Sequence, residues 1–152
     1  MREGIRQLAT SLTPLGWKSV ATLALAALTL GCRGDSEKFF PVSGKVTAGG
    51  QIVNKGSVGF RADASKGNKT LHIPTGDIDP QGNYTLYTIG KSGAPPGWYK
   101  VVVTADSNPN PAPGVEPKWM HHAKYTNEGS TDVLLEVVEN APNGAYDLKL
   151  SK

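Results

Sequence analysis

Ala94-Pro95-Pro96-Gly97-Trp98-Tyr99-Lys100-Val101-Val102-Val103 decides how the rest of the chain is read. Two prolines fix φ and remove two backbone donors, so no helix runs through them, and Gly97 gives the chain room to reverse. The residues that follow have a period of two. Tyr99, Val101 and Val103 share one face, Trp98, Lys100 and Val102 the other, and the run is rich in β-branched and aromatic residues. This is a strand, with the Tyr99 face predicted inward.

The same period recurs on both sides. Val42, Gly44 and Val46 alternate with Ser43, Lys45 and Thr47 before a turn at Ala48-Gly49-Gly50-Gln51, and Val58 and Phe60 alternate with Ser57, Gly59 and Arg61. Ile78 leads into Asp79-Pro80-Gln81-Gly82, a type I turn with Pro at its second position, and Tyr84, Leu86 and Thr88 follow in alternation. Downstream, Val133, Leu135 and Val137 and then Tyr146, Leu148 and Leu150 complete the set. Helical periodicity is absent after Phe40. The sequence therefore predicts an all-β domain of six or seven strands, packed as a sandwich or barrel. The predicted core is Val42, Val46, Val58, Phe60, Tyr84, Leu86, Tyr99, Val101, Val103, Leu135, Val137, Tyr146, Leu148 and Leu150. Two stretches fall outside the pattern. The proline-rich 108–114 segment is expected to be extended, and a single helical turn is expected within 118–126.

Before Phe40 the chemistry changes. Of 152 residues, 16 are basic and 13 acidic, and 1–31 hold three of the basic groups against one acid. The body is nearly neutral, which excludes the concentrated basic face that nucleic acid requires. Residues 20–30 carry no charge and run Val-Ala-Thr-Leu-Ala-Leu-Ala-Ala-Leu-Thr-Leu, directly before Gly31-Cys32. A positive segment followed by about a dozen apolar residues is the pattern of an export signal, and too short for a bilayer span of roughly 20. Leu28-Thr29-Leu30-Gly31-Cys32 resembles a bacterial lipobox. That resemblance implies a diacylglyceryl group on Cys32 and cleavage before it. The only cysteine of the chain sits at the end of its only long apolar run. The organisation expected is a signal peptide over 1–31, a lipidated tether over 32–39 and a domain over 40–152. Arg33 rather than Asp after the cysteine points, by the same resemblance, to the outer membrane.

The order of motifs in the body resembles a known family. Val42-Ser43-Gly44-Lys45-Val46, Gly82-Asn83-Tyr84-Thr85-Leu86 and the Pro95-to-Val103 stretch are similar to carboxypeptidase regulatory-like domains, in the form carried by short planctomycete lipoproteins. The resemblance implies a transthyretin-like Greek-key β-sandwich of about seven strands. A scaffold of that kind does not by itself imply an activity.

Side chains that carry chemistry are few. His121-His122, with His72, could make a zinc site only if the fold gathers all three, and adjacent residues on extended chain face apart. No nucleophile elbow is present. Asp77 and Asp79 flank Ile78, and Asp79 is expected to open the turn. Trp98, Trp119 and Tyr125 are the candidate binding surface; Trp98 is expected to point away from the core, and stacking on a sugar or anchoring a protein are the uses of an outward aromatic. The sequence thus predicts an exported lipoprotein without catalytic residues, metal or cofactor. Its partners are expected to be a membrane through Cys32 and an envelope protein, or alternatively a polysaccharide; a metal-dependent enzyme using His72, His121 and His122 is the remaining alternative.

Overall fold

A computed structural model describes residues 37–108, 110 and 112–152. Cys32 and the export-signal run before it lie outside the described residues, as do Pro109 and Pro111. The prolines, glycines and period-two runs produce ten strands: β1 (Ser43–Ala48), β2 (Gln51–Ile52), β3 (Ser57–Ala62), β4 (Thr75–Asp77), β5 (Asn83–Thr85), β6 (Tyr87–Thr88), β7 (Lys91–Ser92), β8 (Gly97–Thr104), β9 (Leu134–Val137) and β10 (Leu148–Leu150). Two short 3-10 turns, Ala64–Lys66 and Ala123–Thr126, are the only helical pieces among the described residues. The fold is all-β.

The strands make two sheets. In the four-stranded one, β1 pairs with β10 in parallel and with β2 antiparallel, while its first half pairs with β5. The six-stranded sheet runs β7-β6-β4-β3-β8-β9 and is antiparallel throughout. The inward residues of the two sheets form one core, a sandwich arrangement. Val46, Ala48, Leu148 and Leu150 come from one sheet, and Val58, Phe60, Tyr99, Val101 and Val103 from the other. Phe60 and Tyr99 meet with ring centres 5.6 Å apart and planes tilted by 45°. Hydroxyls drawn into this core are partnered. Tyr84 Oη donates to Tyr146 O at 2.6 Å, Thr88 Oγ1 to Gly93 O at 2.6 Å, and Tyr99 Oη to Pro95 O at 2.9 Å. The last bond ties β8 to the Pro-Pro-Gly reversal that starts it. Burial pushes the Tyr84 hydroxyl far above the ordinary phenol range, so it stays a donor.

Thirteen of the fourteen predicted core side chains are buried. Leu135 is half-buried, because β9 is an edge strand with β8 as its one neighbour. The strand count differs for a physical reason. The single alternating run Tyr84–Thr88 is shared: β5 bonds to β1 and β6 bonds to β4, with fully buried Leu86 between them. Strands β2, β4 and β7, of two or three residues, are too short to show a period. The predicted helical turn is Ala123–Thr126. Residues 37–39, predicted as tether, touch the body: Glu37 Oε1 accepts from Thr70 Oγ1 at 3.1 Å, and Lys91 Nζ lies 5.0 Å from the Phe39 ring centre.

Candidate binding site

The chain leaves β8 at Thr104 and makes a bridge between Asp106 and Trp119, which returns the 118–121 segment alongside it. Asp106 Oδ1 closes this excursion, accepting from Asn108 N at 2.8 Å and from Lys118 N at 3.0 Å. In extended chain, Trp119 and His121 fall on one side, and their rings stack 6.2 Å apart at 19°. Tyr125 meets the His121 ring edge-on at 5.9 Å. The Tyr125 hydroxyl then fixes the end of the last sheet segment, accepting from Ser151 N and sharing a proton with Ser151 Oγ, both at 3.2 Å.

An open cleft of about 340 Å³ lies beside this stack, walled by Ile52, Val53, Trp119 and Met120 with Lys118 and Lys152 among its lining. His121 belongs to the same lining and is only 4% exposed. Its Nδ1 is 3.0 Å from His122 O, and a carbonyl only accepts, so Nδ1 carries the proton. Nε2 is left buried with no partner, the one such side-chain atom among the described residues. A buried polar atom without a partner costs about 1–3 kcal/mol.

The predicted binding residues do not form one surface. Tyr125 is 5% exposed, a correction to its reading as an exposed aromatic: the 3-10 turn folds it under His121. Trp98 is half-buried on the outer face, and Lys66 Nζ covers its ring at 4.3 Å from the centre. It lies at the start of β8, whereas Trp119 pairs with Asp106 beyond the far end, so the two tryptophans are roughly 25 Å apart along the strand direction. Only Trp119 and Tyr125 are brought together, and the residue that joins them is His121. Their i, i+2 spacing was a usable signal for the Trp119–His121 pair.

The three histidines are dispersed as well. His122 is exposed and caps the 3-10 turn, its Nδ1 accepting from Lys124 N at 3.1 Å. His72 Nε2 is 3.7 Å from Glu37 Oε2, just before β4. Among the described residues no group of three His, Cys, Asp or Glu is placed to hold a metal ion. Asp79 does open its turn: Oδ1 accepts from Gln81 N and Asn83 N, each at 2.8 Å, and Oδ2 from Asn83 Nδ2 at 3.1 Å. These bonds, the Asn83 side chain foremost, hold its carboxyl below the usual range. Asp77 is exposed across buried Ile78.

No protein-family model, no curated protein and no solved structure matches the chain.

Proposed function

We propose that the chain is a bacterial envelope lipoprotein: an acyl anchor on Cys32, a short tether, and a transthyretin-like Greek-key domain working as a non-catalytic interaction module at a membrane surface. The observation that carries this reading is the placement of the only cysteine immediately after the only long apolar run, Val20 to Leu30. Two or more acyl chains hold a soluble domain on a bilayer stably. Support for an interaction role comes from the cleft beside Trp119, whose apolar wall and unpaired His121 Nε2 suit an inserted partner side chain that donates a hydrogen bond.

The test begins with the full chain expressed in a bacterium that processes lipoproteins. Mass spectrometry of the mature N-terminus is expected to find acylated Cys32, and Cys32→Ser is expected to move the protein from the membrane to the soluble fraction. A mature chain with a free Cys32 thiol overturns the anchor. Cross-linking in intact cells then tests the module: one protein partner at near-equal stoichiometry supports it, and retained carbohydrate with no protein partner favours the polysaccharide reading instead.

A further inference from the structure

One end of the six-stranded sheet carries large apolar side chains in water. Leu71 is 93% exposed, Ile89 70%, Tyr87 52% and Ile73 47%. Their placement follows from the register. Ile78 stands opposite Tyr84 and Thr75 opposite Tyr87, and Ile73 and Ile89 each lie two residues beyond that last pair, at the same end. Ile89 and Gly90 are the two loop residues of the β6–β7 hairpin, between Thr88 and Lys91. Both have positive φ, 50° and 74°, and Ile89 is the one non-glycine residue in that region among the described residues. Such a turn is normally built from Asn, Asp or Gly, because a β-branched side chain clashes with its own backbone there. An isoleucine is thus held in a strained position at the tip of an edge hairpin, with most of its surface in solvent. Strain of this kind is a pointer to function.

The first described residues of the chain lie at the same end. Glu37 bonds to Thr70 and lies 3.7 Å from His72, the two residues that flank Leu71. Only four residues separate Glu37 from Cys32, and those five steps reach at most roughly 17 Å even when fully extended. Lys38, Lys69 and Lys91 are exposed around this end, against Glu37 as the facing acid. We propose that the Ile89–Gly90 end of the sheet docks on the lipid surface that holds the Cys32 anchor, with Leu71, Ile73 and Ile89 entering the boundary between headgroups and acyl chains and the three lysines meeting lipid phosphates. The inference rests on the lipid-anchor reading above, which supplies the short leash. It adds an orientation: the Asp79–Gly82 turn, at the other end of β4 and about 20 Å away, faces the aqueous phase.

The experiment uses the acylated full chain reconstituted in phosphatidylethanolamine–phosphatidylglycerol vesicles. Acylation blocks the thiol of Cys32, so Leu71→Cys, Ile89→Cys or Gln81→Cys each provides a single site for an environment-sensitive fluorophore. Labels at 71 and 89 are expected to be quenched by lipid-borne quencher and to be at least about threefold less accessible to aqueous iodide than a label at 81. The intact mass of each sample reports the anchor separately. Acylated protein with equal iodide access at all three sites overturns the docking while leaving the anchor standing. Protein that carries no acyl group overturns the anchor, and the docking with it.

Discussion

Two turns of this molecule lie at opposite ends of the same pair of chains and were built by opposite rules. At Asp79-Pro80-Gln81-Gly82 every residue suits its place. Asp79 accepts three hydrogen bonds from the turn, and Gly82 takes a φ of 82° with Val46 O and Val53 O pressed close to where a Cβ would stand. At Thr88-Ile89-Gly90-Lys91 the first loop position needs a positive φ and receives a β-branched residue with its side chain in water. Local chemistry and tertiary structure agree in the first turn. In the second they conflict, and a conflict of that kind is expected where a residue serves something other than stability.

The comparison depends on the chains between the turns keeping one register, and the largest expected effect comes from disturbing that. Gly76, in the middle of β4, lies where a side-chain carbon would collide with Thr85 O and Thr85 C. Neither backbone atom can move without breaking the β1–β5 pairing, so Gly76→Ala is expected to cost about 3 kcal/mol or more, read as the shift of a urea unfolding curve. A loss below about 1 kcal/mol would mean that β4 slides freely and that the Thr75–Tyr87 register is not held.

The second prediction has the opposite sign. Ile89→Asn leaves the loop geometry in place and removes the β-branched clash, so it is expected to stabilise the domain by about 1 kcal/mol. In a domain of this size that raises Tm by about 5 °C in calorimetry. An unchanged or lowered Tm would show that the Ile89 side chain makes stabilising contacts, and the contrast between the turns would vanish.

The same contrast marks how far the sequence could be read. β8 was legible because an alternating run of seven residues follows the Pro-Pro-Gly reversal, and β1 and β3 because six residues each keep the period. The two-residue strands β2 and β7 carry no period of their own and exist through their neighbours' hydrogen bonds. Leu86 hid the handover between sheets, since a residue buried at the crossing looks like any inward residue of one strand. For the site, the sequence singled out Trp119 and Tyr125 as parts of a candidate binding surface; Trp119 lines the cleft, whereas Tyr125 is buried. What joins them is His121: its i, i+2 spacing from Trp119 was readable, but the 3-10 turn that folds Tyr125 against its ring was not. Ile89 was illegible for another reason: its conformation breaks the rule that a reader of turns applies.

The smallest expected effect tests the well-behaved turn through its charge. Asp79 is hydrogen-bonded in the folded chain and free in the unfolded one, so its folded pKa lies below the unfolded value near 3.8. The ionised form therefore favours folding above that value, and the contribution disappears as pH falls through the folded pKa. Asp79→Asn keeps an oxygen that can accept from Gln81 N and Asn83 N but removes the charge. The variant is expected to melt slightly below wild type at pH 7, with the difference closing as pH falls below the unfolded value near 3.8 and through the lower folded one. Asp63 and Asp132 are also held below the usual carboxylate range by their hydrogen-bond partners, Ser65 and Lys124 respectively, so the variant itself still loses stability in acid. The measurement is the difference between the two melting curves across that range. A difference that stays constant would assign the effect of the substitution to geometry, and the turn would then owe its order to Pro80 and Gly82 rather than to the Asp79 carboxylate.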